Sequence, residues 1–144
     1  RILTARGEQD AAAAGREIVA LGLTPSLVLA SSAARTRGTL VHAGAVWGGP
    51  PSRIEDALYL ADVAAIWRLI HSHLKSEETV AVIGHNPGLQ DLAAALVAQA
   101  HDQSRAARQI SAHMPTAAFA AFAVEQAPLE ACAPRLLATW SPKD

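Results

Sequence analysis

Cysteine, aromatic residues and charged residues are all scarce in this 144-residue chain. The one cysteine, Cys132, excludes an internal disulfide framework and favours a reducing compartment, so we expect a cytoplasmic location. Charged residues make up 17% of the chain and give a net charge of −1, which argues against nucleic acid or a membrane surface as the partner. The apolar runs are broken within about ten residues, too short to cross a bilayer.

What is present is the composition of a globular domain, with 51% hydrophobic residues in a pattern of alternating helices and strands. The apolar runs Leu27–Ala30 and Thr79–Ile83 predict strands buried on both faces. Helices are predicted over residues 5–21, 33–45, 63–74 and 87–99, a strand or loop over 54–59, an irregular segment with some helical turns over 101–114, and closing strands over 118–124 and 135–140. This order predicts one α/β domain over residues 1–144, a three-layer sandwich whose mostly parallel central sheet has helices on both faces.

Two strand-to-helix junctions carry the residues best suited to chemistry. Arg35 falls in the first turn of the helix after the first strand, with Ser32 as its expected N-cap, and His85 lies on the turn after the second. Ligands of parallel sheets collect at this edge, where free N–H groups at helix starts favour an anion and a guanidinium offers a planar fork for phosphate oxygens. Gly84 and Gly88 are expected to let the backbone approach such a ligand closely.

The same segments resemble motifs of the histidine phosphatase superfamily. Ser31–Thr39 resembles its Ser-Pro-x-x-Arg-Ala-x-x-Thr segment, with Ser32 in place of the proline, and Val82–Leu89 resembles its second-histidine motif in the form of the short phosphohistidine phosphatase (SixA-like) branch. Leu3–Gly7 is similar to the Leu-Thr-x-x-Gly before the first helix, and Met114–Ala118 to a Pro-Thr that enters a late strand. These matches span nearly the whole chain in the family's order.

One family element has no counterpart in this sequence. The resemblance implies an Arg-His-Gly or Arg-His-Ala motif after a first strand, whose histidine takes the phosphoryl group covalently. No such motif stands in the sequence. We therefore expect a strand and loop that carry this histidine upstream of Arg1.

The resemblance also assigns roles to residues that are present. Arg35 would clamp the equatorial phosphoryl oxygens, His85 would add charge or a hydrogen bond to the transition state, and Asn86 would join them in binding substrate. Glu55 is the candidate acid for the leaving group, and Asp56 is an equal alternative. A phosphoramidate leaves as neutral imidazole if it is already protonated, so a strong acid is not required.

The predicted function is that of a protein phosphohistidine phosphatase acting through a covalent phosphohistidine intermediate, with a protein that carries phosphohistidine or a small phosphate ester as its partner. The stretch between Arg35 and His85 leaves little room for a lid, which suits a protein-borne substrate better than a sugar phosphate. We expect no cofactor and no metal, since His71 and His73 lie on different faces of one predicted helix.

Two other classes of function remain open at this point. One is a phosphoglycerate-mutase-like phosphotransferase or a phosphatase of small phosphate esters. The other is a non-catalytic phosphate-binding module, which would apply if the nucleophilic histidine is truly absent.

Overall fold

The apolar run that begins at Leu27 forms the central strand of a parallel sheet. In the computed structural model, which describes residues 1–143, β1 (Leu27–Ser31) pairs in parallel with β2 (Ser52–Glu55) on one side and with β3 (Val80–Ile83) on the other. Every residue of β1 is buried, as expected of a strand covered on both faces.

Five helices surround the strands: α1 (Ala5–Ala20), α2 (Ala34–Val46), α3 (Val63–Leu74), α4 (Gly88–Ala100) and α5 (Arg105–Ala112). Alternate side chains of β1 point to opposite faces of the sheet. Leu27 and Leu29 pack with residues of α3 and α4, whereas Val28 packs with residues of α1 and α2. The predicted three-layer arrangement is therefore confirmed.

The two closing strands form a separate sheet. β4 (Phe119–Ala123) and β5 (Arg135–Trp140) pair antiparallel, in the places that the sequence predicts. Their side chains Ala120, Phe122 and Leu136 pack against α4 and α5. Within residues 1–143, β4 pairs only with β5, and β3 pairs only with β1.

The second predicted strand is less covered than its sequence suggests. All four residues of β3 are half-buried rather than buried. The reason is that one edge of β3 has no hydrogen-bonded neighbour in the part of the chain that the structure describes.

The structure adds local detail to the predicted elements. The segment predicted as irregular contains α5, which begins where Ser104 Oγ accepts a hydrogen bond from Ala107 N–H at 3.1 Å. The region predicted as strand or loop contains β2 and a 3₁₀ turn over Asp56–Leu58. The helix predicted over residues 5–21 ends at Ala20, and its C-cap Leu21 is 42% exposed.

None of the helices in residues 1–143 combines the length and the apolar character needed to span a bilayer.

Candidate active site

The three parallel strands end at one edge of the sheet and bring the predicted site residues there. Ser31 at the end of β1 is the register partner of Glu55 at the end of β2. Ala30 is the register partner of Ile83, after which β3 turns through Gly84 into His85. Residues 24 to 54 positions apart in the sequence thus meet, because parallel strands share their carboxyl edge.

His85 is held inside this edge. Only 7% of the residue is exposed, and its Nε2 lies 2.7 Å from the hydroxyl oxygen of Ser31. The ring of Tyr59 meets the imidazole edge-on, with 5.3 Å between ring centroids and 79° between the ring planes. Two neighbours therefore fix the position and orientation of the imidazole.

Arg35 supplies an unpaired positive charge near this histidine. Its side chain is exposed, and within residues 1–143 its guanidinium forms no ion pair. Burial, and secondarily the charge of Arg35, lower the pKa of His85 below the ordinary value of 6.5. His85 is therefore neutral at neutral pH, while Arg35 is free to hold an anion.

The start of α2 offers backbone donors beside Arg35. The sequence predicts Ser32 as N-cap, but the N-cap is Ala33, which has no side chain to accept from the first turn. The prediction of a serine cap is wrong because the helix begins one residue later. The hydroxyl of Thr36 instead donates to the carbonyls of Ser31 (2.8 Å) and Ala33 (2.9 Å) and so ties the turn to the strand end. Without a side-chain cap, the first N–H groups remain available to an anion.

Arg37 differs from Arg35 although it lies two positions away. Its Nε donates to the carbonyl of Ser32 at 3.0 Å. The guanidinium is thus tied to the backbone of its own turn, which makes Arg37 a natural control for Arg35.

Asn86 is engaged within the fold. Its Nδ2 donates to the carbonyl of Met114 at 2.9 Å, and its Oδ1 accepts from Gln90 N–H at 3.2 Å. Both polar atoms of the side chain therefore have protein partners, which favours a structural use of Asn86. Its predicted role in binding substrate stays a prediction.

The two candidate acids lie at the same sheet edge but in different settings. Glu55 is half-buried at the end of β2, and Asp56 is exposed at the start of the 3₁₀ turn. Among residues 1–143, neither carboxylate takes part in an ion pair. The choice between them stays a prediction.

Gly88 has a use that the sequence interpretation missed. A Cβ at this position would lie 2.2 Å from the carbonyl oxygen of Ala61 and 2.9 Å from Cδ1 of Ile66, whereas a Cβ at Gly84 would meet only the side chain of Leu89 at 3.6 Å. Because Gly88 has no side chain, the segment after Tyr59 can pack against its backbone, and the space beside Gly88 is filled by protein rather than by a ligand.

Tyr59 is a residue of the site that lies outside the sequence motifs. It lies four residues beyond the end of β2 and against His85, and Ala61, two residues further on, packs against Gly88. The signal that points to it is its position: an aromatic residue a few residues beyond a strand whose end faces the site.

The comparisons with known proteins agree with this geometry. No protein-family model matches the chain. An uncharacterised protein of Mycobacterium tuberculosis is 32% identical over 124 residues, which cover 86% of this chain and 77% of that protein. The structure of a protein assigned as phosphohistidine phosphatase SixA, from Nakamurella multipartitia, superposes with a TM-score of 0.86 and 29% identity over 99% of this chain and 85% of that one. The chain has the fold of the SixA-like histidine phosphatases.

More distant structures share the histidine phosphatase fold. A protein assigned as SixA from Agrobacterium tumefaciens has a TM-score of 0.77 at 23% identity and covers 99% of this chain and 84% of its own. A mycobacterial glucosyl-3-phosphoglycerate phosphatase in complex with VO3 has a TM-score of 0.66 at 18% identity, and the match covers 98% of this chain and 87% of that one. At these identities the likeness concerns the fold alone.

Proposed function

We propose that the intact protein is a phosphohistidine phosphatase that works through a covalent phosphohistidine intermediate. The observation that carries the proposal is that Arg35, which is exposed and forms no ion pair in residues 1–143, lies near the buried His85. The two residues lie at a helix start without a side-chain cap, in a histidine phosphatase fold. Such a site combines positive charge, an imidazole and free N–H groups, which are the means by which proteins stabilise a transferring phosphoryl group.

The reaction divides into two displacements at phosphorus. In the first, the nucleophilic histidine forms a P–N bond as the bond to the leaving group breaks, and in the second, water displaces the enzyme histidine and releases phosphate. Arg35 balances the charge on the equatorial oxygens in both steps, and His85 donates a hydrogen bond from its neutral ring. Glu55 or Asp56 supplies a proton where the leaving group requires one.

The nucleophile, in this proposal, stands at the end of a strand between β3 and β4. Each of these strands has an edge without a partner in residues 1–143. Val82 of β3 and Phe122 of β4 pack against the same apolar cluster, so the two edges lie on one side of the core. A strand placed there parallel to β3 would end beside His85, and a histidine at its carboxyl end would face the same phosphoryl group.

The rim of the site supports a protein-borne phosphohistidine as the substrate. Tyr59, whose ring meets His85, is 56% exposed, and its neighbour in the sequence, Leu60, is 66% exposed, so the aromatic ring beside His85 is open to solvent. An imidazole leaving group has a ring that can stack on Tyr59, which an alkyl phosphate lacks. We retain a phosphorylated protein as the partner and a cytoplasmic location as parts of this proposal.

The first test is made on the intact protein with a phosphohistidine-containing protein as substrate. We expect turnover that survives EDTA, and a radiolabelled phosphoenzyme that is labile to acid and stable to alkali, as the P–N bond of phosphohistidine is. Loss of activity with EDTA that a divalent ion restores would overturn the mechanism. Phosphate binding without turnover of any phosphate compound would favour the non-catalytic module.

The second test concerns the leaving group. We expect Tyr59→Ala to lower kcat/KM for p-nitrophenyl phosphate by about 2- to 10-fold more than for glycerol phosphate, the worth of one aromatic pair, since the support of His85 by the ring affects both substrates alike. Tyr59→Phe keeps the ring and should retain both activities. An equal loss with both substrates would contradict this use of Tyr59 and would indicate that the ring serves only to support His85.

A further inference from the structure

The contact between Ser31 and His85 fixes which way the imidazole faces. Ser31 is fully buried at the end of β1, and its Oγ lies 2.7 Å from His85 Nε2. A carbon–oxygen contact is about 3.3 Å or longer, so the ring atom facing Ser31 is a nitrogen and the flipped ring is excluded. The ring nitrogens are therefore distinguishable in this site.

The other ring nitrogen of His85 is directed to the open side of the site. Its Nδ1 has no hydrogen-bond partner within residues 1–143, where the structure gives His85 only the bond to Ser31. In the same residues, no buried side-chain nitrogen or oxygen lacks a partner. Nδ1 therefore reaches the surface, where a bound anion would meet it.

The position of the proton on the ring follows from what Ser31 can donate. Ser31 Oγ accepts from Ala33 N–H at 3.4 Å, and within residues 1–143 the one acceptor that its own proton reaches is His85 Nε2, so the buried hydroxyl is fully satisfied only when it donates to Nε2. A neutral imidazole that accepts at Nε2 carries its proton on Nδ1. The opposite arrangement would turn an unprotonated Nδ1 toward phosphoryl oxygens, and two acceptors facing each other repel.

We propose that Ser31 is a positioning residue that holds His85 in the Nδ1–H tautomer, with this N–H directed at the phosphoryl oxygens. The importance of the N–H for turnover rests on the proposed phosphatase function, whereas the tautomer itself does not. The backbone supports the serine, because Thr36 donates to the carbonyl of Ser31 at 2.8 Å and so fixes the strand end from which the hydroxyl projects.

The tautomer is measured directly by NMR of the ring nitrogens of His85. In the unmodified protein, above the pKa of His85, we expect a protonated Nδ1 and an unprotonated Nε2. In Ser31→Ala we expect the two nitrogens to move toward averaged values, because Nε2 no longer has its donor. Ser32→Ala is the matched control, since the neighbouring hydroxyl forms no hydrogen bond in residues 1–143, and it should leave the spectrum unchanged.

Kinetics on the intact protein complete the experiment. We expect Ser31→Ala to lower kcat by roughly 10- to 100-fold, as partners that orient metal-bound histidines do, with a smaller change in KM. Ser31→Cys introduces a weaker donor of similar size, and its kcat should lie between those of the unmodified protein and Ser31→Ala. This variant replaces Ser31→Ala in the experiment if the alanine variant does not fold. An Nε2–H tautomer in the unmodified protein, or a loss of kcat without a change of tautomer, would overturn the proposal. An Nδ1–H tautomer in a protein that hydrolyses no phosphate compound would leave it standing and refute the phosphatase function instead.

Discussion

Replacement of Arg35 by alanine is expected to lower kcat of the intact protein by about 10²–10³-fold, the usual worth of a group that stabilises transition-state charge. The guanidinium is exposed and free of ion pairs in residues 1–143, and it lies close enough to His85 to lower the pKa of that residue. A clamp on the transferring group acts chiefly in the transition state, so the loss should fall on kcat more than on KM. Steady-state kinetics with p-nitrophenyl phosphate measure both.

Arg37→Ala provides the matched control. This arginine has the same charge on the same helix turn, but its Nε is bound to the carbonyl of Ser32. We expect its replacement to change kcat less than about 3-fold, as for a solvated surface side chain. Equal losses in the two variants, or none in Arg35→Ala, would place the phosphate site elsewhere on the molecule.

An NMR titration of His85 tests the proximity of Arg35 and His85 without an activity assay. Burial is the first cause of its lowered pKa and the charge of Arg35 is the second. In Arg35→Ala the second cause is removed, so the titration midpoint should rise but remain below 6.5 while the ring stays buried. Arg37→Ala should leave the midpoint where it was, and a midpoint insensitive to both substitutions would contradict the placement of Arg35 beside His85.

The general position of the site can be predicted from the sequence. The run Leu27–Ala30 specifies a buried strand, and the spacing of strands and helices specifies parallel pairing. Arg35 and His85 each follow a strand, so parallel pairing alone brings them to one edge. No tertiary detail is needed for this step.

The contacts that shape the site lie beyond such reasoning. The 2.7 Å approach of Ser31 to His85 depends on the register between β1 and β3, which no local pattern shows. The capture of the Asn86 amide by the carbonyl of Met114 joins positions 28 residues apart. The N-cap of α4 is Pro87, and the other polar atom of the Asn86 side chain, Oδ1, accepts from Gln90 N–H in the first turn of that helix.

The glycine at position 88 is a further residue whose use depends on a contact with a distant part of the chain, the carbonyl of Ala61. In the sequence, Gly84 precedes His85 by one residue and Gly88 follows it by three, and both suggest room for a ligand. The structure separates them, because only Gly88 has another part of the backbone against its Cα. The difference leads to a direct comparison between the two glycines.

We expect Gly88→Ala to destabilise the protein by about 1–3 kcal/mol, the usual cost of overpacking. The added Cβ would lie 2.2 Å from the carbonyl oxygen of Ala61 and 2.9 Å from Ile66 Cδ1. The first of these atoms is backbone and cannot rotate away, so either the start of α4 or the segment before α3 has to move. Thermal unfolding should show a midpoint lower by several degrees, given about 4 °C per kcal/mol for a domain of this size.

Gly84→Ala is the control for this substitution. A Cβ there meets only the flexible side chain of Leu89 at 3.6 Å, an ordinary contact, and should change stability by no more than about 0.5 kcal/mol. Either displacement alters the contact between Tyr59 and His85, because Tyr59 precedes Ala61 in one segment and His85 precedes Gly88 in the other. The Gly88→Ala variant should therefore also lose preference for aryl over alkyl phosphates, as Tyr59→Ala does, and Gly84→Ala should keep it. A Gly88→Ala protein as stable as the original would show that the segment yields without cost. Equal losses of stability in the two variants would contradict this packing role and would favour the role that the sequence suggests for both glycines, the close approach of the backbone to a bound ligand. The expected asymmetry would instead show that the second glycine of the histidine motif serves helix-to-loop packing, and that this packing holds the aromatic rim against His85.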